Sequence, residues 1–170
     1  MAEVRGNRAA RRSAWLLPAL LLCGCGFHLE GRLPLPQALQ RPYIEAPDQQ
    51  SDFVQSLRRE MLISGARPVE SADQATAVID ILSDAVTPRV LSVSAQNRPT
   101  EYEVTYTVRF SVAAGDKLLL APQQVSARRS YSFDENLLLA KEHEKAILQQ
   151  AMGHDLADIV MRRLSSLSGD

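Results

Sequence analysis

Residues 102–112 alternate without a fault: Tyr102, Val104, Tyr106, Val108, Phe110 and Val112 are apolar, whereas Glu103, Thr105, Thr107, Arg109 and Ser111 are polar. Period two over such a run predicts a strand with one buried face and one wet face. A strand of this kind needs an apolar layer on one side only, and the rest of the chain must supply it.

The neighbouring segments are read on that basis. Ala114-Gly115-Asp116 predicts a turn, and a returning strand over 118–133 is interrupted by Pro122. Val125, Ala127, Tyr131 and Phe133 share one face of it. Arg129 has the same parity, which demands either a register shift or a snorkelling stem. Upstream, 76–90 is rich in β-branched residues (Val78, Ile79, Ile81, Val86, Val90), and its imperfect alternation suits a strand covered on both faces or one with a bulge. A short strand over 43–46 lies between Pro42 and Pro47-Asp48.

Two amphipathic helices complete the pattern. Ser51 and Asp52 offer an N-cap, and Phe53, Val54, Leu57 and Met61 repeat at helical spacing until Ser64-Gly65. Asp134 or Asn136 can cap a last helix over 137–164, whose stripe is Leu148, Met152, Leu156, Ile159 or Val160, and Leu164. At 1.5 Å per residue that helix is about 40 Å long, and Gly153 inside it costs about 1 kcal/mol relative to Ala. The element order predicts an α+β fold: a two-layer sandwich with two helices packed on a four-stranded, mostly antiparallel sheet. The outer face, with Glu103, Thr105, Thr107 and Arg109, is expected to stay polar.

The N-terminus assigns the compartment. Arg5, Arg8, Arg11 and Arg12 precede the uncharged run 14–22, a positive segment followed by an apolar one of signal-peptide length. That run is too short to span a bilayer, and no second one follows. Leu22-Cys23-Gly24-Cys25 fits the pattern cut by a lipoprotein peptidase, with Cys25 as the acylated residue. A C-x-C metal or redox pair is the competing reading, but further ligands at suitable spacing are missing nearby. Gly26 stands where an inner-membrane retention signal favours Asp, so delivery to the outer membrane is expected. The divisions are 1–24 signal peptide, 25–41 lipidated N-terminus and proline-containing tether (Pro34, Pro36), 42–166 a single sandwich domain, and 167–170 a tail.

Cleavage leaves 146 residues with 15 basic and 19 acidic side chains, a net acidic chain with no long basic run and no nucleic-acid footprint. His143 and His154 stand about 16 Å apart along one helix, too far to share a metal, and read as surface histidines. Walker, G-x-S-x-G and H-E-x-x-H motifs are absent from the sequence. The carboxylate pairs Asp80/Asp84 and Glu101/Glu103, at even strand spacing, each face one way and read as solvated. A binding protein without enzymatic activity, metal or cofactor is expected. Arg89, Arg98, Arg128, Arg129 and Lys141, near strand ends and helix starts, are candidate anion sites, since Arg forks and Lys point charges match phosphate oxygens.

Two blocks carry a family resemblance: C-G-F-H-L-E-G from Cys25, and E-Y-E-V-T-Y-T-V from Glu101 followed by R-S-Y-S-F-D from Arg129 and L-A-K-E-H-E from Leu139. Together they resemble the LPS-assembly lipoprotein LptE (RlpB) family. The resemblance implies an outer-membrane lipoprotein, anchored through N-terminal acyl chains, that plugs and helps assemble the LptD β-barrel and binds lipopolysaccharide. It implies a lipopolysaccharide-binding role for Lys141. The family's other basic position falls at Ala95 here, with Arg98 or Arg89 as substitutes, and Glu30 stands where the family commonly has Arg. The alternative is a free-standing outer-membrane lipoprotein acting as a structural adaptor for another envelope complex.

Overall fold

The computed structural model describes residues 34–134 and 137–167; the signal segment, Cys25, Glu30 and the candidate cap Asn136 lie outside them. The elements are β1 (Pro42–Glu45), α1 (Asp52–Ile63), β2 (Ala77–Val93), β3 (Pro99–Ala114), β4 (Lys117–Ser132) and α2 (Leu138–Ser165). The strands form one sheet in the order β1-β2-β3-β4. β1 runs parallel to β2, and the other two pairs are antiparallel. The fold is the expected α+β arrangement of two helices and a four-stranded, mostly antiparallel sheet.

The alternation in β3 decides which face is covered. Val104, Tyr106, Val108, Phe110 and Val112 are all buried, together with Ile79 and Ile81 from β2 and Val125 from β4. From the helices come Phe53, Val54, Leu57 and Met61 of α1 and Met152, Leu156, Ala157, Val160, Met161 and Leu164 of α2. The α2 contribution comes from its C-terminal half. No helix among the described residues is long and apolar enough to cross a membrane.

The register corrects the expectation for Asp80 and Asp84 and decides between the two alternatives for Arg129. Asp80 pairs with Ser111 on the outer face, but a bulge at Leu82 shifts the pairing, so that Asp84 lies opposite Val108 on the helix face. One extra residue reverses every later side chain, and the two carboxylates therefore point to opposite faces. Arg129 pairs with Val104 in an unbroken stretch of register. Its guanidinium escapes the core by reaching Asp155 of α2 at 2.6 Å, so the stem snorkels without a register shift. α2 has Leu137 at its N-cap position, with no cap hydrogen bond from that side chain, and the Leu137 amide donates to the Asp134 carbonyl at 3.1 Å.

The presumed tether is also partly structural. Leu35 and Leu39 are core residues, and Gln37–Leu39 forms a single 3-10 turn. Thr76 Oγ1 donates to the Ala38 carbonyl at 2.7 Å, and the Arg67 amide donates to the Gln40 carbonyl at 2.8 Å. Burial of two leucines holds residues 35–41 on the domain despite Pro34 and Pro36.

β1 pairs only with residues 77–80 of β2, so beyond Asp80 one side of β2 is an edge, and Pro88 sits there without breaking a ladder. Pro122 lies on the edge strand β4, near a shift between Gln123 and Leu120.

The start of α1 is held by side chains. Ser51 accepts from the Val54 amide at 3.2 Å and donates to Asp84 at 2.5 Å. The Tyr106 hydroxyl accepts from the Phe53 amide at 3.3 Å. Burial first, then the negative charge of Asp84, raises the Tyr106 pKa and keeps the phenol protonated. Tyr106→Phe leaves a helix-start amide without its partner and is expected to cost about 1–2 kcal/mol in urea unfolding with unchanged circular dichroism.

Gly153 is placed for close approach. A Cβ there would come within 2.9 Å of the Asp52 carbonyl carbon and 3.0 Å of the Phe53 nitrogen. Gly153→Ala, which in an open helix stabilises by about 1 kcal/mol, is therefore expected to destabilise by about 1–3 kcal/mol in the same unfolding measurement.

Candidate functional site

The strands outrun the helices. The 16 residues of β3 span about 53 Å, whereas the 28 residues of α2 span about 42 Å. The buried half of α2 is its C-terminal one, so the end where the β2–β3 hairpin, the end of β4 and the start of α2 meet projects from the core, with Val90, Leu91 and Val93 exposed.

The hairpin at this end is tightly built. The Ser94 amide donates to the Arg98 carbonyl at 2.7 Å, and the Asn97 amide donates to the Ser94 carbonyl at 2.9 Å. Ser94 Oγ accepts from the amides of Gln96 and Arg98, each at 3.3 Å. Asn97 supplies the left-handed residue at φ 59°, a conformation its short polar side chain tolerates. Ala95 is in this loop and Arg98 closes it. The Phe133 amide donates to the Thr100 carbonyl at 2.9 Å, carrying the β3–β4 ladder past the formal end of β4.

An aromatic cluster lies on the helix-facing side of this end. Tyr102 stacks on Tyr131 with centroids 5.8 Å apart and meets Phe133 edge-on at 5.5 Å. Val90, opposite Tyr102, is half exposed, as are Leu91 and Val93, and Leu139 on the first turn of α2 is 88% exposed. Partial burial, followed by the charges of Glu142, Tyr102 and Glu144, raises the Tyr131 pKa.

The basic residues lie at the same end of the sheet. Lys141 Nζ donates to Glu144 Oε2 at 2.7 Å and to Ser132 Oγ at 3.2 Å, and its side chain is only 15% exposed. Ser132 lies opposite Glu101 on the outer-face parity, so the lysine stem reaches from α2 across the end of the edge strand. On the outer face, Arg89 Nη2 lies 3.0 Å from Glu103 Oε1, and Arg128 Nε approaches the same oxygen at 3.8 Å. Two largely exposed guanidinium groups share one carboxylate that is 18% exposed, leaving an excess of one positive charge. Glu103 pairs with Ser130, two residues from Ser132, so this cluster and Lys141 are neighbours along β4. Arg129 is drawn away to Asp155.

Lys141, Arg89 and Arg98 therefore share one end of the sheet, with Arg128 added to them. Of the two partners of Lys141, Glu144 is signalled by its i,i+3 spacing. Ser132 carries no such signal, because its role depends on where α2 begins. The aromatic cluster is encoded in the common parity of Tyr102, Tyr131 and Phe133, once the hairpin register is known.

The LptE family model, described as lipopolysaccharide-assembly, matches residues 39–164. The chain is 26% identical to the LPS-assembly lipoprotein LptE of Pectobacterium atrosepticum, covering 90% of this chain and 83% of that protein. It is 27% identical to the LPS-assembly lipoprotein LptE of Photorhabdus laumondii, with 87% and 81% covered. Among solved structures, lipoprotein B from Nitrosomonas europaea superposes with a TM-score of 0.67 at 28% identity, covering 83% of this chain and 91% of that one. The rare lipoprotein B from Shewanella oneidensis superposes with a TM-score of 0.63 at 25% identity, covering 74% and 94%. A match that runs from the buried Leu39 to the buried Leu164 spans every element of the sandwich, and the chain belongs to the LptE family of lipopolysaccharide-assembly lipoproteins.

Proposed function

We propose that the protein is a non-enzymatic outer-membrane lipoprotein, anchored by acyl chains on Cys25 on the periplasmic side, that plugs and helps assemble the LptD β-barrel and binds lipopolysaccharide at the projecting sheet end. The observation that carries this reading is the neighbouring position of Lys141 and the outer-face Arg89–Glu103–Arg128 cluster at the same sheet end that exposes an apolar patch on its helix face. Lipopolysaccharide is both phosphorylated and acylated. Its phosphates suit Arg forks and a Lys point charge, and its acyl chains suit Val90, Val93 and the rings of Tyr102 and Tyr131. Arg98 stands at the hairpin on the same end and is assigned to the same anion site.

The bare outer face supports the barrel part of the reading. It is polar, with Thr105, Thr107 and Arg109 at its centre, as suits an element inside a barrel whose lumen is lined by polar side chains. The family name concerns lipopolysaccharide assembly; the barrel partner is the assignment made here.

Lys141→Glu is expected to weaken lipopolysaccharide binding about tenfold or more, with circular dichroism unchanged because the lysine lies at the start of α2, outside the buried C-terminal half that holds the helix to the core. Glu144→Gln removes the carboxylate that competes for the ammonium and is expected to strengthen binding. Unchanged affinity in both variants removes Lys141 from the site. For the partner, copurification of the full chain in mild detergent is expected to recover a large β-barrel protein. A clean monomer contradicts the plug and favours a free-standing adaptor.

A further inference from the structure

We propose that Glu60, His154 and Asp158 bind a single divalent transition metal of the zinc class, clamped between the two helices. His154 and Asp158 are separated by one turn of α2 and so share a face. Glu60 faces them from α1. One donor atom from each of the three residues falls within 4.8 Å of the others, and His154 Nδ1 lies 3.9 Å from Glu60 Oε1.

The donor set selects the metal class. One imidazole nitrogen and two carboxylate oxygens match zinc, which takes three protein ligands and a water, and they neutralise its two charges. Magnesium demands an octahedron of oxygens and is poorly served by imidazole. Metal–ligand bonds of about 2.0–2.2 Å place tetrahedral donors about 3.4 Å apart, so the three atoms must close by at most about 1.4 Å. Side-chain rotation supplies this closure, since His154 is 51% exposed and Glu60 is 22% exposed. The backbones need not move, because α1 and α2 are already in close contact at Gly153, the residue before His154.

The site is distinct from the basic sheet end, where Lys141 lies more than three helical turns earlier on α2. It borders a surface groove lined by Ser56, Arg59, Ile147, Gln150, Ala151 and His154. Arg59 is the cation facing the groove; it lowers affinity for the metal and favours an anionic or water ligand at the fourth position. The sequence expectation that excluded a metal considered His143 with His154, whereas the partners of His154 are a carboxylate one turn on and another from a distant helix.

The test is calorimetric titration of the full chain, purified in mild detergent and stripped with a chelator, with zinc chloride or magnesium chloride near neutral pH. The expected result is one zinc site, with affinity reduced about tenfold or more by His154→Ala and by Asp158→Asn and unchanged by His143→Ala. Zinc is also expected to raise the melting temperature of the parent chain but not of His154→Ala, since binding to the folded state alone is stabilising. The unliganded melting temperature of each variant reports whether it folds, and Asp158→Asn keeps the shape of the side chain. Zinc uptake indifferent to both His154 and Asp158 would assign the metal to another group and overturn the proposal. Magnesium bound as tightly as zinc, or no uptake at about 1 mM zinc, overturns it as well.

Discussion

The structure rests on one-sided burial of β3. Five of its side chains, Val104, Tyr106, Val108, Phe110 and Val112, turn to the helices and leave almost no surface to water. At about 1.5–3 kcal/mol for each large apolar side chain removed from water, this row is the largest directional contribution a single strand makes to the core. It determines which side the helices occupy and leaves the opposite side polar. Both helices answer it with stripes of matching polarity, and Gly153 lets them pack closely against each other beneath it.

The same constraint creates the functional end. A core of this size needs only part of the sheet, so the long strands extend past the buried half of α2 and carry Val90, Val93 and Tyr102 toward solvent. Positive charge gathers there for reasons of connection as well as chemistry. The β2–β3 hairpin brings Arg89 and Arg98, and the β4–α2 connection brings Lys141 back to Ser132. The partly buried Lys141 is held by two hydrogen bonds, whereas the guanidinium groups of Arg89 and Arg128 are exposed around Glu103. Partly buried and exposed cations thus stand side by side, which suits recognition of a headgroup with several phosphates.

Much of this architecture is legible in the residues. The even spacing of β3 and the Leu148–Met152–Leu156–Val160–Leu164 stripe identify the two main layers directly, because both patterns are local and long. The imperfect alternation of 76–90 also admits the bulge, but not its position at Leu82. A single inserted residue leaves composition unchanged while reversing the face of Asp84, and only pairing with β3 reveals it. Burial of Leu35 and Leu39 is hidden by flanking prolines that also suit a tether. Lys141 and Arg89 are visible as individual cations, but their common location depends on a register and a helix start separated by about fifty residues of chain. Glu60 and His154 are farther apart still, and no local motif joins them.

The central claim is that the polar outer face meets a protein wall while the projecting end meets lipid. In-cell photo-crosslinking from single positions along 89–102 and from Thr105, Thr107 and Arg109 tests this most directly. The account predicts adducts with a β-barrel protein from the outer-face positions 105, 107 and 109, and adducts with lipopolysaccharide from helix-face positions such as Val90 and Tyr102. Adducts with neither partner from both sets, or lipid adducts confined to positions 105, 107 and 109, would contradict it.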